Sequence, residues 1–197
     1  MYSFMNKEDY NTNKSLDYDN YYFFRSAFDD NEIELIKKIS NQFPQENATI
    51  AQTGIHPEYR NSKISWIPYN QNTHWLYQKL GTLAKKANQI WQFDITGFGE
   101  KLQYGEYNSN DKGHYDWHID IGTHQPYRKI SMSIQLTHTD NYTGGELQFH
   151  TAKRIKIAPK DKGTVIFFPS YLCHQITPVT QGKRYSLVTW ITGPPFK

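Results

Sequence analysis

Apolar positions recur at helical spacing in two stretches of the chain's first half. In FDDNEIELIKKISNQF, Ile33, Ile36, Ile39 and Phe43 fall on one face. Asp29 or Asp30 stands where a helix N-cap is needed, and Pro44 closes the element. In the second stretch Thr73 is a possible cap. Leu76, Leu80, Leu83, Ala84, Ala87, Ile90 and Trp91 then trace one apolar stripe over about five turns. Lysines lie off both stripes, so each helix is expected to rest its apolar face on something flat, for which a sheet is the candidate. Between the helices, KISWI (63–67) alternates as a short strand.

From residue 97 the period shortens to two. KLQYGEY (101–107), YDWHIDI (115–121), KISMSIQL (129–136), GELQFH (145–150), RIKIA (154–158), TVIFF (164–168), LCHQIT (172–177) and RYSLVTWI (184–191) read as strands. Gly144-Gly145, Lys162-Gly163, Pro169-Ser170 and Gln181-Gly182 separate them as turns. Eight short strands in succession predict a two-sheet jelly roll or barrel rather than alternating β-α units. Residues 1–20 are polar and poor in aliphatics and are expected to form a flexible tail. Residues 21–197 are expected to form a single domain, with helical support over 28–92 and a β core over 97–193.

Composition narrows the partners. Lys and Arg number 22 against 19 Asp and Glu, a balance too even to point to nucleic acid or an acidic membrane surface. No apolar run approaches the roughly 18 residues that span a bilayer, and the opening residues lack the basic-then-apolar layout of a secretory signal. Cys173 has no second cysteine to pair with, which fits a reducing compartment, so a cytoplasmic protein is expected.

The candidate chemistry lies among the strands. His118 and Asp120 are two apart, a spacing that projects both side chains from one face of a strand. His174 supplies a third ligand. Two His and one carboxylate on one triangular face leave positions open, which suits non-haem iron(II). His114 and Asp116 share the parity of His118 and Asp120, so periodicity leaves both pairs open. A helical zinc motif is excluded, because Tyr115 stands where that motif needs Glu. Ten residues past His174 is Arg184, with Ser186 on the same face. An Arg in a pocket with a hydroxyl neighbour is suited to bidentate capture of a carboxylate. His56, His74, His124, His138 and His150 have no ligand-like partners at useful spacing and are read as structural or exposed. Gly144-Gly145 is read as a tight-turn device and not a phosphate loop, since no helix start follows it. Cys173 is read as a small buried apolar residue.

Longer runs carry a family resemblance. They are Tyr104, Tyr115-Asp116-Trp117-His118-Ile119-Asp120, Tyr142-Thr143-Gly144-Gly145-Glu146-Leu147 and Phe168-Pro169-Ser170. The longest is His174-Gln175-Ile176-Thr177-Pro178-Val179-Thr180 through Gly182-Lys183-Arg184, ending in Gly193-Pro194-Pro195-Phe196. Over about 60–196 the chain resembles the iron(II)/2-oxoglutarate dioxygenase superfamily, and within it the prolyl-hydroxylase-like branch. The segment Arg60 to Ile67 resembles a strand bordering the substrate cleft of oxygen-sensing prolyl hydroxylases.

The resemblance implies a mainly β fold with N-terminal helices, its core a double-stranded β-helix (jelly roll) whose major sheet carries the two helices. It implies His118, Asp120 and His174 as ligands of Fe(II), because Tyr115 stands three residues before the ligand His. Arg184 would bind the far carboxylate of the cosubstrate 2-oxoglutarate, assisted by Tyr104 and Ser186, with Trp190 as a wall. Where the collagen-type enzymes use Lys for this carboxylate, the present chain has Arg. Arg60 and Tyr115 would face substrate. Apart from the resemblance, the amphipathic aromatic Trp66 is also expected to face substrate, and Trp66 and Tyr107 to line an entrance. The implied reaction consumes O2 and 2-oxoglutarate, releases succinate and CO2, and hydroxylates a C–H bond, with ascorbate as a possible reductant. A prolyl residue in a peptide or protein is the leading substrate, with a free amino acid or small metabolite next. A cupin-like metal- or sugar-binding jelly roll without turnover is the reading from another class. Arg184 argues against it, since such a site has no use for a cation beside the metal.

Overall fold

The computed structural model describes residues 20–49, 54–152 and 154–196; most of the expected N-terminal tail, 1–19, lies outside them. Among the described residues two α-helices, α1 (Asp30–Ser40) and α2 (His74–Ala87), accompany fourteen strands. The strands are β1 (Tyr22–Phe24), β2 (Glu46–Asn47), β3 (Arg60–Asn61), β4 (Lys63–Ile67), β5 (Gly97–Phe98), β6 (Leu102–Asn108) and β7 (His114–His118). After them come β8 (Arg128–Gln135), β9 (Tyr142–Gly144), β10 (Leu147–His150), β11 (Ile155–Ile157), β12 (Val165–Pro169), β13 (His174–Ile176) and β14 (Val179–Thr192).

Asp29 rather than Asp30 caps α1. Its carboxylate accepts from the Glu32 amide while the Glu32 carboxylate accepts from the Asp29 amide, a reciprocal capping box. Thr73 occupies the N-cap of α2 but makes no capping bond; its hydroxyl donates to the Pro68 carbonyl instead. The α2 stripe continues past the helix end. Asn88 binds both backbone groups of Phe93 through its side chain, which turns the chain and still buries Trp91.

The strands form two sheets. The larger runs β1-β12-β8-β14-β6-β4-β2, with β5 and β9 also on β14; the smaller runs β11-β10-β13-β7-β3. Alternation along the larger sheet divides its side chains between two cores. Ile130, Ile134, Leu187 and Ile191 pack with Ile33, Ile36, Leu76 and Leu80 of the helices. Ile166 and Phe168 turn the other way and pack with Leu147, Phe149 and Ile176 of the smaller sheet. The architecture is mainly β with two helices, and its two sheets face each other as in a jelly roll. Among the described residues no helix is long and apolar enough to cross a membrane.

Two strand expectations are corrected. Gln181-Gly182 is no turn, because β14 runs unbroken from Val179 to Thr192. Gly182, at φ +71°, lets the strand pass from β9 to β6, and a Cβ there would meet the Asn141 carbonyl at 2.0 Å. The strand through His118 ends at that residue instead of continuing to Ile121.

Candidate metal centre and its cavity

The placement of His118 depends on an irregularity that periodicity does not reveal. β13 pairs His174 with His118 and Ile176 with Tyr115, so β7 carries one extra residue across that step. Such a bulge breaks the period of two. It brings the Tyr115 ring onto the His118 ring, with centroids 3.5 Å apart and planes at 16°. The competing pair separates from the site. His114 turns its ring nitrogens to the carbonyls of Lys112 and Glu58, and Asp116 is exposed.

Asp120 reaches the site from outside the strand. Its amide and that of Ile121 both donate to the Ser170 carbonyl, at 2.9 and 3.1 Å. One potential ligand atom each from His118, Asp120 and His174 lies within 4.8 Å of the others. The imidazole Nε2 atoms of His118 and His174 stand 3.7 and 3.6 Å from the Asp120 carboxylate oxygens, beyond hydrogen-bond length. Each Nδ1 lies within hydrogen-bond reach of a main-chain carbonyl, Asp116 for His118 at 2.7 Å and Leu172 for His174 at 2.9 Å. With Nδ1 as the donor, each Nε2 lone pair faces the centre, the tautomer a metal ligand needs.

Burial, and after it the neighbouring His174, holds the His118 imidazole well below its ordinary pKa, in the neutral form. Burial works against the Asp120 carboxylate, but His174, His118 and Arg128 outweigh it and hold the group below the usual carboxylate range. Ser131 Oγ donates to Asp120 Oδ2 at 2.6 Å and lies 3.0 Å from Ser170 Oγ. Neutral imidazole with an ionised carboxylate is the donor set that a divalent first-row metal takes. The three residues fit iron(II).

Opposite them, on β14 of the larger sheet, Arg184 is 0% exposed. Its guanidinium donates to Ser186 Oγ at 3.2 Å and to Gln135 Oε1 at 3.1 Å, both neutral groups, and Nε has no partner. Among the described residues no carboxylate pairs with it. A buried cation without a counter-charge is costly, so this position calls for an anion. Gly145 serves this arrangement. At Gly145 (φ +58°) a Cβ would stand 2.8 Å from Arg184 Cδ, so the missing side chain makes room for the Arg stem.

A cavity of about 630 Å³ joins these groups. It is lined by all the sequence candidates except Tyr104: His118, Asp120, His174, Arg184, Ser186, Trp190, Arg60, Tyr115 and Trp66. Tyr104 is a correction. On β6 it faces the helices, buried, with its ring stacked on Tyr185. Gln103 and Tyr107, on the other parity, face the cavity, and Tyr107 stands directly across from Arg184 in the ladder. The guanidinium lies 5.2 Å from its ring centroid. Gly105 was the available signal: a mid-strand glycine marks the face where something approaches closely, and Tyr107 shares its parity.

Further residues escaped the sequence reading. Arg128 forks onto the Glu100 carboxylate with two contacts of 2.6 Å, stacks on Trp190 and donates to the Asp120 carbonyl. Gln135, Ser131 and Gln103 are polar positions on strands, which carry no signal until the fold points them inward. Arg60 lies over the Tyr115 ring at 4.5 Å and donates to Gln103 Oε1. Burial pushes the Tyr115 hydroxyl up to about 12. Trp66 donates to Glu46.

Residues 102–192 match the family model of the 2OG-Fe(II) oxygenase superfamily. A PKHD-type hydroxylase of Alteromonas mediterranea is 40% identical over 62 residues, covering 32% of this chain and 27% of the relative. One of Pseudoalteromonas atlantica is 28% identical over 142 residues, covering 66% and 63%. The chain thus spans less than two thirds of the length of these curated relatives. In structure it is similar to a prolyl hydroxylase from Trichoplax adhaerens, solved in complex with a hypoxia inducible factor oxygen degradation domain peptide. The TM-score is 0.76 at 17% identity, over 90% of this chain and 85% of that one, a likeness of fold.

Proposed function

We propose that the chain, whose residues 102–192 match the family model of the 2OG-Fe(II) oxygenase superfamily, is an oxygenase of that superfamily and hydroxylates an unactivated C–H bond, with a prolyl residue of a peptide or protein as substrate. The observation that carries this reading is Arg184, a buried guanidinium with only neutral partners in the same cavity as the His118, Asp120 and His174 donors. A metal site that merely binds would have no use for it. A cosubstrate that is chelated at one end and anionic at the other needs both features.

His118, Asp120 and His174 would hold the iron. Arg184 would take the far carboxylate of 2-oxoglutarate, aided by Ser186, with Trp190 as a wall and Tyr107 in the place first expected of Tyr104. When bound, iron(II) with 2-oxoglutarate and O2 supplies the oxidising chemistry, converting the cosubstrate to succinate and CO2, with ascorbate as a reductant that keeps the iron ferrous. The protein's own part is to fix geometry and keep water from the reacting centre. Arg60, Tyr115 and Trp66 line the remaining space and would face the substrate. The fold reading is a double-stranded β-helix forming one domain over 21–197.

The prolyl assignment draws on the sequence resemblance to the prolyl-hydroxylase-like branch and on the fold shared with a prolyl hydroxylase; hydroxylation of a free amino acid or small metabolite by the same site is second. The test is succinate formation from 2-oxoglutarate with iron(II), with and without chelator, joined to mass spectrometry of candidate peptides for a gain of one oxygen. Failure to bind 2-oxoglutarate in the presence of metal would overturn the reading.

A further inference from the structure

Arg60 is a second cation in this cavity without a carboxylate partner among the described residues. Nη2 donates to Gln103 Oε1 at 2.8 Å and Nη1 to the Thr49 carbonyl at 3.3 Å, both neutral, while Nε is buried and unpartnered. The third arginine, Arg128, is neutralised by Glu100 through its two-pronged contact. Among the described residues, three arginines therefore line the cavity against two carboxylates, Glu100 and Asp120, leaving one positive charge in excess. A divalent iron and a dianionic 2-oxoglutarate arriving together leave that excess unchanged. The guanidinium lies on the Tyr115 ring, which is itself stacked on His118. An anion held there sits beside the metal ligands.

Building on the oxygenase reading, we infer that the substrate presents a carboxylate to Arg60. A bidentate or charge-assisted contact would satisfy the free Nε, remove the excess charge and set the substrate's register against the metal. Two sources share this chemistry: the carboxylate of a free amino acid, and an acidic side chain next to the target residue of a peptide.

The test uses the full chain loaded with Mn(II) in place of iron, together with 2-oxoglutarate. Loading is measured first; its failure overturns the oxygenase reading and not this inference alone. Binding of L-proline is then compared with that of L-prolinamide, and a terminally blocked Asp-Pro peptide with its Asn-Pro counterpart. The acid member of one pair is expected to bind about tenfold tighter or more, and the pair that shows it identifies the source. Arg60→Gln should erase the preference. So should Gln103→Glu, which keeps the shape of the side chain and supplies Arg60 with an internal carboxylate. With loading intact, equal or absent binding by both members of both pairs overturns the inference. A preference that survives in either variant overturns it as well.

Discussion

Ser131 Oγ donates to Asp120 Oδ2 at 2.6 Å, from a strand of the sheet opposite the one that carries His118 and His174. The carboxylate lies outside any strand, so this bond and the two amides held by the Ser170 carbonyl are what orient it. Removing the hydroxyl should free the carboxylate to rotate without disturbing the ladder. Ser131→Ala is expected to weaken Mn(II) binding by about tenfold or more. Ser131→Thr, which restores a hydroxyl, should recover part of it. A metal titration followed by electron paramagnetic resonance reads both, and equal affinities in all three proteins would remove Ser131 from this role.

His118→Ala should abolish metal binding, whereas His114→Ala should leave it within about twofold, because the β7 bulge turns only His118 inward. The reverse pattern would mean that the pair selected here is the wrong one.

Arg184→Met exchanges a buried, unpaired cation for an apolar side chain of similar length. Without ligand the variant should be more stable than the wild type by about 1 kcal/mol or more, since the desolvation penalty is removed. 2-Oxoglutarate with Mn(II) should raise the Tm of the wild type only. Thermal unfolding with and without the cosubstrate gives both numbers. A destabilised variant that still gains Tm with 2-oxoglutarate would contradict the assignment.

Tyr107→Ala should weaken 2-oxoglutarate binding several-fold, and Tyr104→Phe should not, because Tyr104 lies on the helix side of the sheet. Calorimetric titration of the two variants separates the residues. Loss confined to Tyr104→Phe would restore the expectation drawn from the sequence.

Gly145→Ala places a methyl 2.8 Å from Arg184 Cδ at φ +58°. It should cost about 1–2 kcal/mol of stability through backbone strain and also lower 2-oxoglutarate affinity by shifting the guanidinium. Denaturant unfolding and ligand titration check the two effects, and a stability loss with unchanged affinity would confine Gly145 to the turn.

The sequence by itself determined the elements whose cause is local. The apolar stripes of α1 and α2, the alternation of KISWI and of most core strands, and an aspartate cap at 29 or 30 all rest on contacts within a few residues. It also contained the His118, Asp120, His174 and Arg184 set, through residue types and spacings that the family resemblance made specific. The tertiary structure decided what depends on partners distant in the chain. Period two could not separate His118 from His114, because the bulge that does so is defined only against His174 of β13. Nor could it assign Tyr107 over Tyr104, since which face of β6 meets Arg184 follows from its pairing with β14. Gly182 reads as a turn in isolation and becomes a bend once β9 and β6 pair with β14 on either side of it. Ser131, Gln135 and Gln103 are ordinary polar strand residues until two sheets close over them. Their burial, and with it their roles around Asp120, Arg184 and Arg60, arises from long-range packing that no local pattern encodes.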